Sequence, residues 1–263
     1  MSLTLGHGPL VAKDPPESNY EIDGPKHRIL WHEFPRRVRA ELAGATVFDT
    51  VSGRLLHESQ MLPVLYVPEA DVDFGLLEPT DHSTHCPFKG DASYWSIRVG
   101  DQVSENAVWS YLEPNDEASW LAGHYACYRG KLDAWFDEDE EIRGHLRDPF
   151  HRVDVRASSR RARALIGGEP VAITDLPMVL SETGLPNRIY FPIDDVDAGV
   201  LEPSEATAHC PYKGDATYWS VRAGDEKLED AAFGYPEPLD GVGRVAGHVA
   251  FLHDEIDVEI EPR

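Results

Sequence analysis

A thiol, an imidazole, an ammonium and a carboxylate fall within seven residues at His85-Cys86-Pro87-Phe88-Lys89-Gly90-Asp91, and Ala92-Ser93-Tyr94-Trp95-Ser96 follows. The run recurs as His209-Cys210-Pro211-Tyr212-Lys213-Gly214-Asp215-Ala216-Thr217-Tyr218-Trp219-Ser220. Carried on to Asp101 and Asp225, the copies agree at 13 of 17 positions, which marks the stretch as a site. Nucleophilic chemistry would fall to Cys86 and Cys210, with His85 and His209 adjacent and His124 and His248 as further imidazoles. A neighbouring cation lowers a thiol pKa and enriches the reactive thiolate. Against this, adjacent side chains of an extended segment point apart, and a free cysteine is commonly an inert buried residue.

Two further chemistries fit less well. Zinc would find His, Cys and carboxylates but no Cys-x-x-Cys pair, so neither a metal nor a cofactor is expected. Nucleotidyl transfer would use Lys89-Gly90-Asp91 as cation, close backbone approach and metal ligand. No Gly-rich phosphate loop accompanies them. A turn with Gly90 at positive φ and Asp91 bonding the backbone or Lys89 accounts for the same residues.

Strand period sorts the motif into faces. Ser93, Trp95, Ile97 and Val99 form a core face, and Tyr94, Ser96 and Arg98 the other, which lines either a polar pocket or ordinary solvent. Together with His85, Lys89 and Asp91, and with His209, Lys213, Asp215, Tyr218, Ser220 and Arg222 in the second copy, these are the expected ligand-binding residues. The expected ligand is a small, partly anionic molecule. A Cys-dependent or nucleotidyltransferase-like enzyme and a non-catalytic scaffold are the alternatives.

The elements that hold these residues are duplicated. The offset of 124 residues that links Cys86 to Cys210 also links His27/His151, Arg37/Arg161, Tyr66/Tyr190, Glu78/Glu202, Tyr111/Tyr235 and His124/His248. That period far exceeds a solenoid repeat of about 20–50 residues and implies two tandem domains. The division expected is a tail at 1–20, a first domain at 21–140, an acidic linker at 141–147 and a second domain at 148–263. Short apolar runs between turn signals predict a mainly-β fold of antiparallel strands, including a hairpin at Val38–Leu42 and Thr46–Phe48. One helical turn is expected at Glu69–Val72, and a longer helical stretch only at Asn115–Leu121.

Composition narrows the partners. The formal charge of −23 repels nucleic acid and anionic lipid, so neither is expected as a partner. No apolar run approaches the ~20 residues of a membrane helix. With three cysteines, two of them repeat-equivalent, no disulfide framework is expected and a reducing cytoplasm fits. Lysine occurs only six times, yet stands at both equivalent motif positions, Lys89 and Lys213.

The pattern resembles a family known only as domain of unknown function 427. The resemblance rests on Arg37–Arg39, Leu77–Thr80, His85–Ser96 and Ala122–His124, each with its partner 124 residues on, and covers the chain apart from the N-terminal tail. It implies a compact mainly-β domain of the β-tent group, an architecture shared with methionine sulfoxide reductase B and the cereblon ligand-binding domain. The family also carries a nucleotidyltransferase-like label without assigned catalytic residues. His82 becomes Ala206 and Cys127 becomes Phe251 in the second copy, so neither serves a chemistry common to both.

Overall fold

The computed structural model describes residues 25–224 and 226–262; the expected tail at 1–20 lies outside them. The chain divides after Pro149 into two compact units, each mainly β. The first contains β1 (Ile29–Glu33), β2 (Val38–Leu42), β3 (Ala45–Thr50), β4 (Arg54–Glu58), β5 (Val64–Pro68), β6 (Leu77–Cys86), β7 (Gly90–Val99), β8 (Gln102–Ser110), β9 (His124–Cys127), β10 (Ala134–Asp137) and β11 (Glu140–Glu141). A seven-stranded sheet runs β1-β4-β5-β9-β8-β7-β6, and a four-stranded one β11-β10-β2-β3. The second unit has β12 (Val153–Ala157), β13 (Ala162–Ile166), β14 (Glu169–Thr174), β15 (Met178–Glu182), β16 (Arg188–Pro192), β17 (Leu201–Cys210), β18 (Gly214–Ala223), β19 (Glu226–Gly234), β20 (His248–Phe251) and β21 (Ile256–Ile260). Its sheets run β12-β15-β16-β20-β19-β18-β17 and β14-β13-β21, the same plan. All named pairings are antiparallel, and no helix among the described residues is long and apolar enough to cross a membrane.

Period-two alternation sends successive residues of the large sheet into two different cores. Leu55, Leu65, Val67 and Ile97 join a core shared with Val38, Ala40 and Phe48 of the small sheet. Leu56, Tyr66, Ala92, Tyr94 and Ala126 join a second core on the opposite face, under Ala118 and Leu121. Those last two belong to a 3-10 segment, Asp116–Leu121, where the sequence predicts its longer helical stretch. The face of Ile97 and Trp95 is core as expected. Tyr94, expected on a polar or solvated face, is instead 4% exposed, because it joins the second core, with the His82 ring 4.4 Å away and Thr84 on its hydroxyl.

The segment expected as an acidic linker is fastened to the first unit. Ile142 and Leu146 pack on its core, and Arg129 donates to the carbonyls of Ile142 and Gly144 at 2.7 and 2.8 Å.

Three residues, Pro87 to Lys89, turn the chain between β6 and β7. The Lys89 amide donates to the Cys86 carbonyl at 3.2 Å, and the Asn115 amide to the Lys89 carbonyl at 3.0 Å. Gly90 closes the turn at φ +103°, and a Cβ there would meet the Glu113 carbonyl oxygen at 3.3 Å. Gly214 repeats this at φ +103° with the Glu237 oxygen at 3.1 Å. Gly90→Ala and Gly214→Ala combine a disfavoured φ with a backbone contact, so each is expected to cost about 1–3 kcal/mol. Urea midpoints of the two variants check this.

Candidate functional site

Lys89 is the best-anchored residue of the motif. Its side chain turns inward over the Tyr111 ring, 5.6 Å from the centroid, and its Nζ donates to Glu58 Oε2 at the end of β4. Both side chains are buried, at 9% and 5% exposure. The other carboxylate oxygen of Glu58 meets His27 Nε2 at 3.2 Å, and the His27 ring stacks on Phe88 at 4.1 Å. The second unit repeats the set: Lys213 Nζ to Glu182 Oε2 at 2.6 Å, His151 Nε2 to Glu182 Oε1 at 3.0 Å, and His151 against Tyr212 at 4.1 Å. A buried carboxylate thus receives a cation and an imidazole, which ties the motif turn to β4 in one unit and β15 in the other.

The remaining predicted residues separate. His85 and Asp91 are cross-strand partners on the exposed side of the hairpin, with Nδ1 2.6 Å from the carboxylate; His209 and Asp215 are alike at 2.7 Å. Asp91 therefore bonds neither the backbone turn nor Lys89, as the sequence had implied. Arg98 and Glu78 form an exposed bidentate pair at 2.6 and 3.0 Å, and Arg222 Nε reaches Glu202 at 2.5 Å. Ser96 Oγ accepts the amide of Asn106, which holds φ +49° at a bulge in β8, while Ser220 Oγ donates to Glu229 at 2.6 Å. Cys86 and Cys210 are half-buried against the second core of their units, and no hydrogen bond joins either to an imidazole among the described residues. His124 and His248 each bond the carbonyl two residues back, at 3.1 and 2.8 Å. Burial pushes the Cys127 thiol up to about 12.

Aromatic rings gather on the second-core face beside the turn. Tyr66, Ala126, Trp109 and Tyr94 stand in one cross-strand row over β5, β9, β8 and β7. Ala126 leaves room for Trp109 Nε1 to donate to the Tyr66 hydroxyl at 3.3 Å. Tyr128, 43% exposed, lies 4.4 Å from Trp109, and the His82 ring lies 4.4 Å from Tyr94. The Tyr94 hydroxyl meets Thr84 Oγ1 at 2.9 Å. Burial first, and then the neighbouring Tyr94, push the Tyr128 hydroxyl up to about 12. Burial, with Glu58 and Cys86 nearby, drives the Tyr66 and Tyr111 hydroxyls far above the usual tyrosine range, so both stay protonated donors.

Sequence reasoning missed Glu58, Glu182, His27 and His151 as members of the site. Both pairs obey the 124-residue offset, and that signal was available.

A family model described as domain of unknown function (DUF427) matches twice, over residues 31–138 and 154–262. The chain belongs to this family. It is a tandem of two DUF427 domains, and no curated protein matches it. His27 and His151 lie just ahead of the matched segments, so each DUF427 domain here is fastened by an imidazole from its leading edge.

Two outcomes follow for the DUF427 fastening. Removing a cation leaves a buried carboxylate oxygen without its charge partner and only the His27 imidazole on the group, so Lys89→Met is expected to cost about 3–5 kcal/mol in denaturant titrations. The second outcome concerns pH. Burial alone would raise the Glu182 carboxyl; the hydrogen bonds and charges of His151 and Lys213 outweigh it and hold the group at about 2, against an ordinary 4.5. A carboxyl depressed in the fold stabilises fully above its unfolded pKa and stops doing so as pH falls through the folded value. The urea midpoint is expected to drop between pH 4.5 and about 2, and Glu182→Gln to flatten that drop.

Proposed function

We propose that this tandem DUF427 protein binds a small, partly anionic metabolite on the aromatic face beside each motif turn. The observation that supports the reading is the ring cluster of the first domain. Trp109 is half-buried and Tyr128 exposed, so flat apolar surface meets water next to hydroxyls of fixed orientation. Apolar walls with a few convergent polar groups are what a small-molecule site requires. The motif's own polar groups contribute through the fastening that positions this face rather than by contact: the ammonium of Lys89 is held by Glu58, and Arg98 by Glu78. We also place the protein in the cytoplasm and each domain in the β-tent group; three free thiols support the first and the paired antiparallel sheets the second.

A thermal-shift screen of metabolites and nucleotides tests the reading. A ligand at about 100 times its Kd adds about 2.7 kcal/mol, so the first domain's Tm should rise with at least one compound. Tyr128→Ala, which removes an exposed ring, should abolish that rise. A Tm unmoved by every compound, or a rise that Tyr128→Ala leaves intact, contradicts the proposal.

A further inference from the structure

The two aromatic faces have diverged in charge. At the position of Val64 the second domain carries Arg188, and at that of Trp120 it carries Arg244. Arg188 stands opposite Leu180, which itself stands opposite Val155, and the Arg244 Nη1 reaches the Val155 carbonyl at 3.4 Å. Both guanidiniums therefore serve the same face. In a chain with 47 acidic and 24 basic residues, most described guanidiniums are paired with carboxylates; these two have none within ion-pair distance among the described residues.

Arg188 is half-buried and lies over the Phe233 ring, 5.9 Å from its centroid. Of its five N–H donors, one is taken, by the Phe251 carbonyl at 3.2 Å. Two hydroxyls beside it are also without partners among the described residues. Tyr190 has lost the indole donor that serves Tyr66, because Phe233 replaces Trp109. Tyr218 has lost the hydroxyl partner of Tyr94, because Ala208 replaces Thr84, and Leu252 stands where Tyr128 neighbours Tyr94. The Tyr218 ring is 5.9 Å from Phe233 and the Tyr190 ring 6.1 Å.

We propose that Arg188, with the Tyr190 and Tyr218 hydroxyls, forms an oxyanion site in the second domain for a small organic acid whose flat apolar body lies against the half-buried Tyr218 ring, beside the buried Phe233. A guanidinium fork matches a carboxylate or a phosphate monoester bidentately, and phenols supply the remaining donors. The first domain, with Val64 and Trp120 at these positions, takes the uncharged counterpart. The inference rests on the binding role proposed above and assigns its charge preference to one domain.

The test is a set of amide NMR titrations of the full chain with benzoate, phenyl phosphate and neutral benzamide. Saturable shifts at residues 188, 218 and 233 are expected with at least one of the two anions, and the anion that binds distinguishes carboxylate from phosphate. Benzamide should bind these residues at least about tenfold more weakly. Arg188→Met should abolish saturation, and Tyr218→Phe, a change that leaves the packing ring in place, should weaken it about three- to tenfold. Anion binding that survives Arg188→Met, benzamide binding as tight as benzoate, or no saturation by either anion at about 10 mM overturns the inference. Shifts confined to the Trp109 row would overturn it too while leaving the general binding role standing. Silence at both faces, in this titration and in the thermal screen, would remove both.

Discussion

A lysine ammonium and a glutamate carboxylate withdrawn from water together hold each motif turn against the strand that ends 31 residues earlier. Desolvating both ions is costly, and a buried pair of this kind repays that cost only with good geometry and satisfied remaining valences. Here the second carboxylate oxygen is satisfied by an imidazole, and that imidazole packs against the aromatic residue of the same turn, stacked in the first domain and tilted in the second. The interaction therefore orients several elements at once. It fixes the β6–β7 hairpin end and presents Gly90 to the loop at Glu113–Asn115, which leads into the 3-10 segment of the second core. Specificity of arrangement, rather than net stability, is what such a pair best supplies.

The duplication serves as an internal comparison. What both copies keep is the fastening: Lys, Glu, His, an aromatic ring packed on the imidazole and the glycine at positive φ. What differs is the aromatic face, where Trp31, Val64, Trp109, Trp120 and Tyr128 become Val155, Arg188, Phe233, Arg244 and Leu252. The shared motif thus reads as architecture, and the divergence between the two domains is concentrated on the aromatic face.

Much of this was legible in sequence. The constant offset gave the tandem, short runs between turn residues gave the mainly-β fold, and the hairpin at β2–β3 and the positive φ of Gly90 followed from local chemistry. Tyr94 was misplaced because period two assigns a face but cannot say that a second core lies on it; part of that core, Ala118 and Leu121, arrives more than twenty residues later. Glu58 was missed because an acidic residue ending a strand is ordinary until a buried lysine is known to need it. Ser96 and Arg98 share a side of β7 with Tyr94, yet a bulge and an exposed ion pair claim them separately. Convergence of side chains is a three-dimensional property, and residue type with spacing bounds it only loosely.

The central claim is that Lys89 and Glu58 act as one unit, and a double-mutant cycle measures that directly. Glu58→Leu, Lys89→Met and the double variant would be compared by chemical denaturation. Each single change should be strongly destabilising, and the double should cost no more than either, a coupling of about 2 kcal/mol or more. Costs that add within about 0.5 kcal/mol would show that the two residues stabilise the fold independently, and would contradict the account.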